Sequence, residues 1–247
     1  MEIFYSEDLT AQSKQIRLSQ EESWHAFKVL RKKVGDNLHI TNGKGLMAEG
    51  VVTGENSKAV SCDIQSTQKV KPPPEKNIQM ALSTIRPNRM DWAVEKLTEL
   101  GVGTISFFHS QFTSIRTFKT EHLEKIAIGA IKQSGQAYLP QVNKPCSFPD
   151  WIHSLPTTGG QIRLIGHLND NARNISEIPF GNLDPTKSSA IIAIGPEGGF
   201  SEEELSMACE RDFRIVSLDN HILRSETAAV VAATQAKFFL RKIIKGL

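Results

Sequence analysis

A chain of 247 residues that is 39% hydrophobic and 23% charged has the make-up of a folded protein, with room for two small domains. Its formal charge of +2 is too small to announce a polyanionic partner, so any nucleic acid must be met by local basic patches. No run reaches the about eighteen uncharged apolar residues of a membrane span, since Ala228 to Leu240 is broken by Thr234, Gln235 and Lys237. The opening Met1-Glu2-Ile3-Phe4 does not read as a secretory signal. Cys62, Cys146 and Cys209 are too scattered for a disulfide framework or a metal cluster. A cytoplasmic protein with no membrane segment and no metal is expected.

In chain order, the first predicted element is a helix. Ser19 can cap it, Glu22 completes a capping box, and Trp24, Phe27 and Leu30 form an apolar stripe. Strands follow at Asn37 to Ile40 and Leu46 to Val52, around a loop holding Asn42-Gly43, and at Ala59 to Ile64. About 70 residues of short strands with one helix suggest a small β-barrel. At Lys71-Pro72-Pro73-Pro74-Glu75-Lys76 three prolines stiffen the chain into a spacer. The boundaries expected are therefore 1–71, a linker at 72–76, and 77–247.

Beyond the linker strands and helices alternate, which means α/β. Ile78, Met80 and Leu82 lead into a helix that buries Met90, Ala93, Val94, Leu97 and Leu100 and stops at Gly101. Thr104 to Phe108 is a strand. Leu123, Ile126, Ala127, Ala130 and Ile131 mark a second helix, closed near Gly135 and Pro140. Strands are expected at Gln161 to Ile165, Ala190 to Ile194 and Arg214 to Leu218. The second of these is apolar on both faces, as the centre of a covered parallel sheet requires.

Two loops carry the candidate chemistry. The central strand runs into Gly195-Pro196-Glu197-Gly198-Gly199-Phe200-Ser201, at the strand end where open α/β sheets bind ligands. Ser201 and Glu204 form a capping box, and Phe200 and Leu205 are spaced as a hydrophobic staple. A phosphate loop would continue with Lys-Ser or Lys-Thr, whereas this helix opens with three glutamates that oppose an anion at its N-terminus. A neutral or cationic ligand fits better, and a sulfonium compound bearing adenine is one such; a plain strand-to-helix turn is the alternative. The last strand ends in Leu218-Asp219-Asn220-His221-Ile222-Leu223-Arg224-Ser225-Glu226-Thr227-Ala228. The helix after it is small-sided and apolar almost all round, hence buried in its own subunit or against another.

These loops resemble those of the SPOUT methyltransferases and, more narrowly, of the ribosomal small-subunit methyltransferase E family, the rRNA uracil-N3 methyltransferases. The family's Ile-Gly-Pro-Glu-Gly-Gly is matched at Ile194 to Gly199, and its Leu-Arg-x-Glu-Thr-Ala at Leu223 to Ala228. Val29-Leu30-Arg31 with Gly35-Asp36, Glu99-Leu100-Gly101-Val102 and Gln133-Ser134-Gly135 agree as well, so the likeness spans the chain in order. It implies a PUA-like β-barrel followed by an α/β domain with a trefoil knot, S-adenosylmethionine as cofactor, and an active site at a homodimer interface. It also implies cofactor contacts from Gly166, His167, Ile194, Gly195, Pro196, Glu197, Gly198, Gly199, Leu218, Asn220, Ile222 and Leu223. The substrate implied is small-subunit ribosomal RNA, free or in the assembled subunit. Asp219 departs from the family's usual glycine, Ser225 from a common threonine, and Gln111 to Ser114 and Gln136 from positions that often carry arginine.

Methylating N3 of uridine needs a cation for the developing charge on the uracil oxygens and an acceptor for the imide proton. Arg224 is assigned the first role, the alternative being an arginine that ties down its loop. Glu226 is a candidate base, although a helix N-terminus favours its ionised form and weakens its basicity, which suits a loop-holding role better. Arg17, Arg31, Lys32 and Lys33 are candidate RNA-backbone contacts; basic residues ending a helix also complement its dipole. His25, alone on an amphipathic helix, reads as structural. Pro145-Cys146 lacks the strand and motifs of a cysteine nucleophile. Competing readings are a non-catalytic RNA-binding assembly factor, a ribose 2′-hydroxyl methyltransferase, disfavoured by Ser83 to Arg89, and a nucleotide hydrolase, which lacks a phosphate loop.

Overall fold

The computed structural model describes residues 2–54, 59–115, 119–156, 161–167, 173–177 and 189–245. The chain divides into two units, one made of Met1–Pro72 with Ala127–Leu139, the other of Pro73–Ile126 with Pro140–Leu247.

In the first unit β1 (Ile3–Tyr5), β2 (Gln15–Arg17), β3 (Asn37–Thr41), β4 (Leu46–Gly54) and β5 (Ser61–Lys69) form one sheet in the order β1-β3-β4-β5-β2. Two register shifts in the β4–β5 pair bend the sheet into a half-barrel, which is the form the expected small barrel takes. Its core is Phe4, Leu9, Leu38, Ile40, Val52, Val60 and Cys62. The helix α1 (Gln20–Trp24) is shorter than its apolar stripe suggests and continues as a π-helical turn over His25–Val29. Ser19 Oγ accepts the Glu22 N–H at 3.2 Å, but the Glu22 carboxylate turns away from the cap to Lys132 and the Tyr5 N–H, so only half of the capping box forms. Trp24 is 55% exposed, because the winding widens into the π-helical turn at the next residue and leaves Trp24 off the face that Ala26, Phe27 and Leu30 present to the core. Between β3 and β4, Gly43 and Gly45 both take positive φ, and Asn42 Oδ1 accepts the N–H groups of Lys44 and Leu46. The turn is thus a four-residue loop closed by an asparagine, a longer one than Asn-Gly alone requires.

The second unit is a parallel sheet. In chain order its elements are β6 (Ile78–Ser83), α2 (Pro87–Glu99), β7 (Thr104–His109), α3 (Thr120–Ser134), whose last part belongs to the first unit, β8 (Gln141–Val142), β9 (Cys146–Ser147), α4 (Phe148–Ser154), β10 (Gln161–Gly166), β11 (Arg173–Asn174), β12 (Ser189–Ile194), α5 (Glu202–Glu210), β13 (Arg214–Ser217) and α6 (Ser225–Lys245). The order is β11-β13-β10-β12-β6-β7-β8, with β9 beside β7, and every pairing is parallel. Placed between β10 and β6, β12 is covered on both faces. Ile191 and Ala193 pack with Phe148, Trp151 and Leu205 of α4 and α5, while α6 packs against β12 and β6. Helix α2 ends as its sequence demands, with Gly101 at φ +84.

Pro74–Asn77 winds into a 3-10 turn, and Glu75 is 2% exposed, with Arg241 Nε of α6 at 2.5 Å and Lys237 Nζ at 3.9 Å. The expected trefoil knot is not shown by the described residues; residues 168–172 and 178–188, between β10 and β12, lie outside them.

Candidate active site

Because β13, β10 and β12 are parallel neighbours, their carboxyl ends open side by side, and each runs into a loop. Between these loops lies a cleft of about 290 Å³, near the lower end of ligand-pocket sizes. One wall is Gly166 and His167 after β10. The floor is Ile194 to Gly199 after β12, and the far wall runs from Val216 to Asp219 and on through His221, Ile222, Leu223, Ser225 and Ala228. Of the residues assigned to cofactor contact, all line this cleft except Asn220.

The floor is fixed by local chemistry. Ser201 Oγ accepts the Glu204 N–H at 3.3 Å and Glu204 Oε2 accepts the Ser201 N–H at 3.0 Å, so the capping box is complete. Glu204 Oε1 reaches further and accepts the Gln111 N–H at 2.9 Å. Phe200 and Leu205 are both buried in one aromatic-rich core, which closes the staple. Two glycines are required by close approach: a Cβ on Gly195 would stand 2.9 Å from Phe200 Cε2, and one on Gly198 would stand 2.8 Å from Phe112 Cβ. Gly199 has φ +74. With no side chains on these residues, the loop offers its backbone to whatever enters the cleft.

The far wall is held from behind and within. Gln235 Nε2 of α6 donates to the Leu218 carbonyl at 3.2 Å. Asp219 Oδ1 accepts the His221 N–H at 2.9 Å and lies 3.0 Å from His221 Nδ1. The His221 backbone N–H, then its side chain, hold the Asp219 carboxyl below the usual carboxylate range. Asp219 is not among the residues with positive φ, so the backbone here does not demand a glycine. Ile222 stands 88% exposed at the mouth.

Arg224 and Glu226 are interleaved with residues of this wall but do not themselves line the cleft. Arg224 is exposed and makes no ion pair among the described residues. Glu226 is 9% exposed, with Oε1 3.6 Å from Arg89 Nε, while its Oε2 is buried and has no donor. Arg89 also forms a close ion pair through Nη1 with Glu197 Oε1 on the cleft floor. Sequence reasoning missed Arg89, whose partners are remote in sequence. It also passed over Val216, Ser217, His221, Ser225 and Ala228, which position at a parallel strand's carboxyl end could have flagged.

Among the described residues the cleft is lined by Glu197 and Asp219 but by no lysine or arginine, and α5 opens with Glu202, Glu203 and Glu204. That electrostatic character suits a cationic or neutral ligand and disfavours a phosphate. No cluster of three or more His, Cys, Asp or Glu residues placed to hold a metal occurs among the described residues, and no described helix is long and apolar enough to cross a membrane.

In the first unit Arg17 is exposed on β2. Arg31, Lys32 and Lys33 do not end the helix; they form the loop after it, where Arg31 takes φ +54 and Lys32 N–H closes the turn on the Ala26 carbonyl. Lys32 Nζ donates to the Asn37 carbonyl, leaving Arg31 and Lys33 exposed. No hydrogen bond or ion pair joins Arg17 to this loop among the described residues.

A parallel α/β sheet with a glycine-floored, acid-rimmed cleft at its carboxyl edge, in a chain that also carries a separate β unit, defines the class. The family model described as "RNA methyltransferase domain" matches residues 72–237, and "RNA methyltransferase PUA domain" matches 18–65. Relatives named ribosomal RNA small subunit methyltransferase E include that of Aquifex aeolicus, 31% identical over 93% of this chain and 96% of its own. That of Rickettsia conorii is 27% identical over 94% and 93%. The crystal structure of a protein of the same name from Neisseria gonorrhoeae, bound to S-adenosyl methionine, covers 97% of this chain and 98% of its own at 25% identity, with a TM-score of 0.86. This chain belongs to the ribosomal RNA small subunit methyltransferase E family.

Proposed function

We propose that this protein transfers a methyl group from S-adenosylmethionine to N3 of a uridine in small-subunit (16S) ribosomal RNA. The observation that carries the proposal is the cleft itself, with its glycine floor, two carboxylates and no lysine or arginine among the described residues that line it, at the carboxyl edge of three parallel strands. The sulfonium and ammonium charges of the cofactor suit that lining, and the open backbone at Gly195, Gly198 and Gly199 suits a ligand read by main-chain groups. Gly166, His167, Ile194 to Gly199, Leu218, Ile222 and Leu223 would hold it, and when bound it supplies the electrophilic methyl group.

The remaining work falls to this chain's own residues. Arg224, exposed and without an ion pair among the described residues, meets the charge that develops on the uracil oxygens as the imide proton leaves. Glu226 lies buried against Arg89 two residues further on, and in this arrangement it fixes the turn that carries Arg224. Residues 1–71 act as the RNA-binding domain, with Arg17, Arg31, Lys32 and Lys33 contacting phosphates and residues 77–247 carrying the chemistry. The protein works in the cytoplasm as a homodimer. The exposed Trp92 on α2 and Phe238 on α6 support an apolar contact between copies.

The test is transfer of labelled methyl to isolated small ribosomal subunits, followed by digestion and identification of the nucleoside. N3-methyluridine made by the wild type and lost with Arg224→Ala supports the reaction and the role of Arg224. A ribose methyl or another methylated base refutes the specificity, and cofactor binding without transfer to subunits or free RNA refutes the catalytic reading.

A further inference from the structure

Arg89 lies in the first turn of α2, a helix whose opening carries no acidic residue to offset a cation. The positive end of a helix dipole repels such a charge, so local structure does not account for an arginine here. Its surroundings do. The guanidinium is mostly covered, at 22% exposure, and spans two carboxylates on different elements. Nη1 pairs with Glu197, which lines the cleft, and Nε faces Glu226, which sits in the first turn of α6 just after Arg224. One side chain therefore joins the loop after β12 to the turn after β13. Glu226 Oε2 is buried with no donor, so Arg89 is the only charged partner that Glu226 has among the described residues.

We propose that Arg89 is a positioning residue for methyl transfer: it sets the cleft floor through Glu197 and the Arg224 turn through Glu226, coupling cofactor binding to the placement of the catalytic cation. The inference rests on the reading of the cleft as the cofactor site and of Arg224 as the catalytic group. It predicts that the two arms separate. Breaking the Glu197 arm loosens the floor, and breaking the Glu226 arm misplaces Arg224 while leaving the floor intact.

The experiment uses the full-length protein and the variants Glu197→Gln, Glu226→Gln, Arg89→Ala, Arg89→Lys and the triple variant carrying both glutamines with Arg89→Ala. Calorimetric titration with S-adenosylmethionine gives the affinity, transfer to small subunits gives kcat, and circular dichroism with a melting curve establishes that each variant is folded. Glu197→Gln is expected to weaken cofactor affinity more than it lowers kcat, and Glu226→Gln to lower kcat more than it weakens affinity. Arg89→Ala should do both, each by about tenfold, and Arg89→Lys, which keeps the charge, should recover much of both. The triple variant should have a kcat no lower than that of Arg89→Ala, because the arginine acts on Arg224 through Glu226.

An additive loss of kcat in the triple variant, or an Arg89→Ala protein with a lowered melting temperature but unchanged affinity and kcat, would overturn the proposal. If the wild type binds S-adenosylmethionine but methylates nothing, the functional reading fails on its own, and the affinity comparison among Arg89→Ala, Glu197→Gln and their double variant still decides the Glu197 arm. If the wild type does not bind the cofactor, both fail together.

Discussion

Replacing Gly195 by alanine adds one methyl group where β12 leaves the sheet. That carbon would stand 2.9, 3.1 and 3.3 Å from Cε2, Cδ2 and Cζ of Phe200. Carbon atoms sit comfortably at about 3.5–4.0 Å, so the ring or the loop must retreat by roughly half an ångström or more. The ring has little room. Phe200 is 5% exposed, and its centroid lies 5.4 Å from that of Phe148 and 5.9 Å from that of Phe108, both wholly buried. Forcing a methyl into such packing costs about 1–3 kcal/mol, slightly offset by the lower chain entropy of unfolded alanine. For a chain of this size each kcal/mol lowers Tm by about 2–4 °C. Phe200 precedes the cap Ser201 and Gly195 lines the cleft, so the displacement also disturbs the floor, and affinity for S-adenosylmethionine should fall. Calorimetric melting and titration of Gly195→Ala measure both effects. Gly129→Ala is the control: it lies within α3 with open space around the added carbon and should stabilise by about 0.5–1 kcal/mol. A Gly195→Ala protein that melts within about 1 °C of wild type and binds as tightly would refute the argument, showing that the aromatic cluster yields at no cost.

Other perturbations probe separate parts of the structure. Ser201→Ala removes one half of the capping box and should cost about 1 kcal/mol in a urea melt, with the loss concentrated at the start of α5 in hydrogen exchange. Glu75→Gln leaves Arg241 and Lys237 without their anion; with Arg241 half exposed, a loss of about 1–2 kcal/mol is expected, and it should shrink in high salt. Burial pushes the Cys62 thiol up to about 11, so Cys62 should resist iodoacetamide at pH 8.5 while the exposed Cys209 reacts, as peptide mass spectrometry would show. The same shift makes stability fall as pH rises from the ordinary thiol range towards 11, since the unfolded chain loses that proton first. Asp219 is shifted the other way, so its hold on the His221 N–H persists at neutral pH and is released only on acidification through and below the ordinary carboxylate range; histidine NMR shifts would follow it.

Elements whose signals are local could be read from the sequence. The double-faced apolar run of β12 states a covered central strand, and the Ser201 and Glu204 pair fixes the start of α5 wherever the helix sits. Gly101 likewise announces the end of α2. Elements defined by a partner could not. Strands β8, β9 and β11 are two residues long and exist only through parallel neighbours. Helix α4 spans seven residues and opens on Phe148-Pro149, which reads as a loop until Phe148, Trp151 and Ile152 are seen filling the core under Phe200. Trp24 misleads for a related reason: helical spacing assigns it to the core, but the winding changes at the next residue.

The candidate site divides along the same line. Its backbone component, the floor from Gly195 to Gly199, is written in consecutive residues because a close approach excludes side chains one position at a time. Its charged component is distributed. Glu197 and Glu226 each occupy a position that sequence alone explains as a loop acid or a helix-start acid, and Arg89 reads as one more surface cation on α2. Only the parallel order, which sets β12 beside β6 and lets α2 and α6 pack together, brings the three charges into contact. Mutual compensation then accounts for all three. Arg89 offsets the cost of two clustered carboxylates, one of them buried, and the carboxylates offset the cost of a cation at a helix N-terminus. Removing any one member should therefore perturb the other two more than it perturbs the surrounding fold, as a positioning device requires.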